Sequence, residues 1–140
     1  MQLDDVSALL ARNQVVTFTT FRKDGRAQMS LVTAGRVGDA LAFTTRRRNA
    51  KAHNLMRDPR CVLMLTSPDL RSYAVLDGDA EVLGAHNTDA DVLRLRLREV
   101  YRASAGKEHP NWDEYDAAML QQQRVAVVLK PSRIYAHGLG

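Results

Sequence analysis

Residues 15–33 read VVTFTTFRKDGRAQMSLVT, and this stretch decides the fold. Every residue of Val15–Phe21 is β-branched or aromatic, which is typical of a β-strand. The Asp24-Gly25 pair favours a tight hairpin turn, so Gln28–Thr33 is predicted to return as a second strand. The segment therefore predicts the start of an antiparallel meander.

A short helix is predicted before this meander. One of the acidic residues Asp4 and Asp5 is expected to cap it, because a carboxylate accepts hydrogen bonds from the free N–H groups of a first turn. Val6, Leu9 and Leu10 then share one apolar face, which predicts that the helix packs against the meander.

The rest of the chain continues with short strands and helices. The pattern predicts a turn at Gly35–Asp39, a strand at Ala40–Thr45, a helix at Asn49–Asp58, strands at Cys61–Thr66 and Ser72–Leu83, helices at Asp89–Ala105 and Asp113–Gln123, and strands at Val125–Leu129 and Ile134–Tyr135. The Asp77-Gly78 pair predicts a bulge or bend in its strand. Six or seven strands with few short helices favour an antiparallel barrel of α+β type.

Composition indicates one ordinary globular domain spanning residues 1–140. Hydrophobic residues make up 45% and charged residues 26%, which excludes a disordered or fibrous chain. The net charge is +4, and 16 of the 20 basic residues are Arg. Cys61 lies in an apolar run, which favours a buried, inert thiol in a reducing compartment. The acidic start and the absence of a long apolar run lead us to expect a cytoplasmic protein with no membrane partner.

Positive charge is concentrated where the predicted helix at Asn49 begins. Residues 44–54 read TTRRRNAKAHN, so three consecutive Arg and one Lys lie next to a helix N-terminus, which is itself positive. This arrangement costs stability unless an anion binds there, and hydroxyls, guanidiniums and free N–H groups suit a phosphate. A solvated basic loop and a nucleic-acid patch remain open alternatives at this point, although aromatic residues are not interleaved with the cations.

Other kinds of site receive little support. The four His residues do not have metal-ligand spacing, and the single Cys has no partner, so we expect no metal. Gly-rich phosphate loops and the surroundings of an activated serine nucleophile are also missing from the sequence. Tyr73 is compatible with either a site or the core.

Five segments, taken in order, resemble the pyridoxamine 5′-phosphate oxidase-like, flavin-binding split β-barrel superfamily. Within it the likeness is greatest to small actinobacterial oxidoreductases that use the deazaflavin coenzyme F420. The segments are DGRAQMS at 24–30, KAHNLMRDPR at 51–60, SYAV at 72–75 followed by Gly78, WDEY at 112–115 followed by Arg124-Val125, and PSRIY at 131–135. The resemblance implies an antiparallel split β-barrel with short peripheral helices.

The resemblance also implies a homodimer with two cofactor sites where the barrels meet. The residues it assigns to the ring of the cofactor are Gln28, Met29 and Ser30. Those it assigns to the tail and phosphate are Thr44, Thr45, Arg48, Asn49, Lys51 and Asn54, with Arg71 and Tyr73 supplied by the other subunit. Arg46 and Arg47 either reach the carboxylates of the oligoglutamate tail of F420 or face water.

The implied activity is hydride transfer from reduced F420 to an unsaturated or conjugated acceptor such as a quinone, enone or tetrapyrrole. No catalytic side chain is named, because the cofactor carries the chemistry. FMN is the alternative cofactor, and F420 is preferred because extra cations suit its longer anionic tail. A protein that binds F420 or flavin without turnover is a further alternative, and no nucleic-acid partner is expected.

Overall fold

The computed structural model describes residues 1–139, which form four helices and one seven-stranded sheet. The elements are α1 Leu3–Arg12, β1 Val15–Phe21, β2 Ala27–Thr33, β3 Gly35–Val37, β4 Ala40–Arg46, α2 Ala50–Arg57, β5 Arg60–Thr66, β6 Tyr73–Leu83, α3 Ala90–Ala105, α4 Trp112–Gln121 and β7 Arg124–His137.

All pairings in the sheet are antiparallel, in the order β2-β1-β5-β6-β7-β4-β3. The sheet is curled, so that side chains from strands that do not pair come into contact on its inner face. The ring centroids of Phe18 on β1 and Phe43 on β4 lie 4.8 Å apart, although these two strands are not neighbours in the sheet. Both rings are fully buried in the main core. The predicted α+β split β-barrel is therefore confirmed.

The helices cover different parts of the curled sheet. The apolar faces of α1 and α2 join the main core, whereas α3 and α4 form a second core with the outer face of β4 and β7. At Gly35, a Cβ would lie 2.3 Å from the backbone carbon of Ala103, so β3 and α3 approach as closely as only glycine allows.

Two predictions for the first 40 residues were wrong. Gln2, not Asp4 or Asp5, is the N-cap of α1, and its backbone N–H donates to the Asp5 carboxylate at 2.7 Å. The predicted turn at Gly35–Asp39 begins with the short strand β3, because its backbone pairs with Ala40–Ala42. Only Gly38 and Asp39 form the turn.

The two predicted strands at the end of the chain are one continuous strand. β7 passes through Pro131 without interruption because Pro131 lies opposite Gly78, where the register between β6 and β7 shifts. A bulge tolerates the missing N–H of proline. The predicted bulge at Asp77-Gly78 is thus confirmed, and it accounts for the error in β7.

Candidate functional site

A polar cavity of about 370 Å³ lies where the curled sheet remains open. Its walls come from β2, β4, the first turn of α2, the end of α3 and the start of β7, and the lining residues are Leu31, Val32, Thr33, Thr44, Thr45, Lys51, Ser104 and Arg124. β2 pairs only with β1, so its other edge offers unpaired backbone N–H and C=O groups to this opening. Three of the residues predicted to contact a cofactor, Thr44, Thr45 and Lys51, therefore meet at one cavity.

The first turn of α2 offers unused hydrogen-bond donors beside this cavity. Asn49 occupies the N-cap position, but its side chain does not cap the helix. Its amide Nδ2 donates instead to Thr45 Oγ1 at 2.8 Å, which fixes the loop between β4 and α2. The first turn contains no acidic residue, so an external anion is the natural partner for its N–H groups.

Lys51 and Arg124 line the cavity and make it positive, and Arg46 adds a third cation beside Arg124. Arg46 and Arg124 are direct cross-strand partners on β4 and β7, a position where like charges repel. Burial, and then the charge of Arg124, lowers the pKa of Lys51 below its ordinary value of 10.5. Burial, and then the charge of Arg46, likewise lowers the pKa of Arg124.

No carboxylate of residues 1–139 offsets this charge. The six ion pairs within 4.0 Å that the described chain forms involve Arg36, Arg60, Arg94, Arg96, Arg98 and Arg102. None of them involves Lys51, Arg124 or the Arg46–Arg48 run. The site thus concentrates positive charge without a protein anion, which is the electrostatic requirement for a phosphate site.

Asn54 has a different position from the one the resemblance implied. It is buried, and its Nδ2 donates to Thr20 Oγ1 at 3.0 Å, while Arg57 donates to its Oδ1 at 3.3 Å. The Thr20 hydroxyl in turn donates to Gln28 Oε1 at 3.0 Å. Asn54 therefore holds α2 against β1 and orients Gln28, with both of its polar atoms engaged by the protein.

Side chains along β2 alternate between the two faces of the sheet, and this places the three residues predicted to line the cofactor ring on different faces. Gln28 and Ser30 are half-buried on the inner face, whereas Met29 is 63% exposed on the outer face. The buried Ser30 hydroxyl oxygen has no hydrogen-bond partner, so a polar ligand atom would satisfy it. Gln28 and Ser30 therefore lie on the inner face without lining the polar cavity, and Met29 lies on the outer face.

The remaining predicted site residues lie outside the cavity. Arg47 lines a different groove, between α3 and α4, and Arg48 is exposed. Arg71 is exposed, and Tyr73 is 37% exposed and stacked on His137, with ring centroids 5.5 Å apart. Tyr73 pairs with Thr66 at the C-terminal end of β5. The chain enters β5 from α2 at the opposite end of this strand, at Arg60. Within one chain, therefore, Arg71 and Tyr73 are not brought to the cavity.

Arg124 is the site residue that sequence analysis left without a role. Its guanidinium donates to Gln122 Oε1 at 2.8 Å and lies 3.5 Å from the Thr44 carbonyl oxygen. Only the pairing of β4 with β7 brings it beside Arg46, so no local pattern could assign it.

A family model described as pyridoxamine 5′-phosphate oxidase matches residues 3–138. The chain belongs to the pyridoxamine 5′-phosphate oxidase family. This confirms the superfamily predicted from the sequence.

Solved structures with the same fold have diverged far in sequence. A conserved hypothetical protein from Mycobacterium tuberculosis superposes with a TM-score of 0.80 at 19% identity, covering 99% of this chain and 86% of its own. An F420 reductase gives 0.64 at 22% identity, with 92% and 94% covered. An FMN-binding protein from Nostoc punctiforme gives 0.64 at 15% identity, with 96% and 82% covered. At these identities the likeness shows the fold alone.

Residues 1–139 lack two further kinds of feature, a metal-binding cluster and a membrane-spanning helix. No group of three or more His, Cys, Asp or Glu side chains in this range is arranged to hold a metal ion. None of the described helices combines the length and apolar character needed to cross a membrane. Cys61 is buried as predicted, and burial raises the pKa of its thiol to about 12.

Proposed function

We propose that this protein is an oxidoreductase that binds coenzyme F420 at the cavity between β2 and α2. Its reaction is hydride transfer from the reduced coenzyme to an unsaturated or conjugated organic acceptor, such as a quinone, enone or tetrapyrrole. The observation that carries the proposal is that two cations, Lys51 and Arg124, line one cavity, with Arg46 beside Arg124 and no protein carboxylate paired to any of the three. A bound phosphate offsets their mutual repulsion.

The proposed site consists of the cavity, which binds the phosphate and tail, and the adjoining part of β2, which binds the ring. Lys51, Arg124 and the first turn of α2 hold the phosphate, and Thr44 and Thr45 line the path of the tail. The free edge of β2 offers alternating backbone donors and acceptors, which match the carbonyl and N–H groups along one edge of a flavin-type ring. The inner face of β2 contributes Gln28 and the unpartnered Ser30 hydroxyl.

The coenzyme supplies the hydride when it is bound, and the protein supplies position and charge. The Asn54–Thr20–Gln28 hydrogen bonds fix one wall of the site before binding, so little ordering remains to oppose association. Cations beyond those needed for one phosphate favour F420 over FMN, because the tail of F420 carries additional carboxylates. In this proposal Arg46 binds a carboxylate of the F420 tail.

Exposed apolar side chains on part of the sheet's outer face support the proposed homodimer. The register places Val15, Met29, Leu31, Tyr73 and Tyr135 on one face, and each of them is between 37% and 72% exposed. The helices α3 and α4 pack on the other half of the outer face, over β4 and β7. A contiguous exposed apolar surface of this kind is typical of a protein interface. A second copy packed on this face supplies Arg71 and Tyr73 to the β2 edge.

Two alternative functions share this site. An FMN-dependent oxidoreductase uses the same phosphate contacts with a shorter ligand, and a non-catalytic protein binds F420 or flavin without reducing an acceptor. Coenzyme titration separates the first alternative from the proposal, and an acceptor assay separates the second.

We expect purified protein to bind F420 at least tenfold more tightly than FMN. The reason is that FMN leaves Arg46, beside Arg124, without an anionic partner, whereas the tail of F420 supplies one. Titrations followed by the fluorescence of each coenzyme measure both dissociation constants. Reduced F420 should then be oxidised in the presence of a quinone or enone. Tighter FMN binding would favour the first alternative, and F420 binding without oxidation by any acceptor would favour the second.

Coenzyme affinity is expected to fall at alkaline pH, beginning below the ordinary lysine pKa of 10.5. The pKa of Lys51 is lowered in the free protein, and a bound phosphate stabilises its charged form and raises that pKa. Binding is therefore strongest while Lys51 is protonated and weakens as pH rises through the lowered value. Dissociation constants measured from neutral to alkaline pH test this expectation, with Lys51→Gln as the control that should lose the dependence. An identical pH dependence in wild type and variant would contradict it.

A further inference from the structure

A second cavity, separate from the polar one, lies between α3 and α4. It encloses about 540 Å³, within the range typical of small-molecule sites. Its walls are mainly apolar, with side chains such as Leu93, Leu97, Met119 and Val125. We call this cavity the helical groove.

The charged residues around the helical groove leave two Arg without carboxylate partners. Asp91 pairs with Arg94 at 3.6 Å, and Asp116 accepts from Arg98 Nε at 3.0 Å. The acidic residues that line the groove are therefore engaged. Arg47 and Arg124 also line it, and neither has a carboxylate within 4.0 Å among residues 1–139.

The backbone around Arg47 is held in place next to the groove. The Arg47 N–H donates to the Gln123 carbonyl oxygen at 3.0 Å, which ties the loop between β4 and α2 to the turn before β7. Gln123 itself has a φ of 51°, a left-handed conformation that costs a non-glycine residue free energy. The surrounding structure thus maintains a strained turn that places Arg47 and Arg124 at one end of an apolar groove.

From this arrangement we propose that the helical groove binds a small carboxylate with an apolar body. The apolar body packs between α3 and α4, and Arg47 binds the carboxylate. An oligoglutamate tail fits this groove poorly, because it is polar along its whole length and would leave its amides without partners against Leu and Met. A neutral apolar molecule would leave the cations unpaired. The ligand class that satisfies both the walls and the charges is therefore an apolar carboxylate.

Isothermal titration of the coenzyme-free protein with decanoate, below its micellar concentration, tests the proposal. We expect Arg47→Gln to weaken binding about tenfold, the effect of losing one charge-assisted hydrogen bond. Arg48→Gln is the matched control, because Arg48 is adjacent and exposed but lines neither cavity. Decanol, which has the same chain without the charge, should bind at least tenfold more weakly than decanoate. A parallel titration with naphthoate shows whether the walls prefer an alkyl or an aromatic body.

Ala90→Trp provides a second test that leaves the charges intact. Ala90 is exposed at the start of α3 and lines the groove, so the indole blocks the groove without disturbing the core. Decanoate binding should then be lost, while circular dichroism and thermal unfolding stay unchanged. Equal binding of decanoate and decanol, or equal affinity in wild type and Arg47→Gln, would overturn the proposal. So would displacement of decanoate by saturating F420, which would make the groove part of the coenzyme site.

Discussion

Replacing Lys51 with glutamate is expected to weaken coenzyme binding roughly a hundredfold, about 3 kcal/mol. The change removes the half-buried ammonium beside Arg124 and places a carboxylate where the coenzyme phosphate binds. The fold should be retained, because Lys51 makes no ion pair with residues 1–139. The new carboxylate lies near Arg124, so thermal stability should be unchanged or raised. Fluorescence titration and thermal unfolding of the same preparation measure both effects.

The matched control for this variant is Lys130→Glu, which changes the net charge by the same amount. Lys130 is exposed on β7, six residues after Arg124 and hence roughly 20 Å away along the strand. Its replacement should alter coenzyme affinity less than about threefold through long-range charge alone. If the two variants lose affinity equally, general electrostatic attraction would account for binding, and the phosphate assignment to Lys51 would be wrong.

Tyr135→Asp is expected to dissociate the proposed homodimer. The side chain is 47% exposed in one chain and belongs to the outer face shared with Val15, Met29 and Leu31. Burying an unpaired polar group costs about 2 kcal/mol, and a two-fold dimer buries one substituted side chain from each subunit, so the cost is doubled. The dimer dissociation constant should therefore rise roughly a thousandfold. Sedimentation velocity over a concentration series measures it.

Leu95→Asp is the control for the dimer. Leu95 is 56% exposed, but it lies on α3, which covers the other half of the outer face, over β4 and β7. Its replacement should leave the oligomeric state unchanged. The Tyr135 variant should also bind coenzyme more weakly, because its monomer lacks the Arg71 and Tyr73 of a second copy. A wild-type protein that sediments as a monomer at all concentrations would contradict the proposed interface.

The sequence predicted those features of the fold that depend on local pattern. β1 has the predicted bounds, because an unbroken run of β-branched and aromatic residues has few other conformations available. The mistaken break in β7 arose because Pro131 is a strong local signal, and only its distant partner Gly78 makes it acceptable within a strand. Val92 has the helical spacing of the apolar face of α3, with Leu93, Leu97 and Val100, but it is 54% exposed, because the packing of α4 and β4 decides which part of that face is covered.

For the candidate site, too, the sequence predicted the local features but not those that depend on packing. The charge of the TTRRRNAK segment is local, so its need for an anion could be inferred before the structure. The structure places Lys51 of this segment in one cavity and Arg47 in the other. This division depends on how α2, α3 and α4 pack. Arg124 depends on strand pairing, and the engagement of Asn54 by Thr20 depends on the contact of α2 with β1. These are long-range features, and local patterns do not contain them.

A crystal structure of the protein with F420 or FMN bound tests the proposed phosphate site most directly. We expect the phosphate at the first turn of α2, within roughly 2.7–2.9 Å of Lys51 Nζ, with the Arg124 guanidinium on its other side. A phosphate bound elsewhere, with Lys51 and Arg124 still facing an empty cavity, would contradict it.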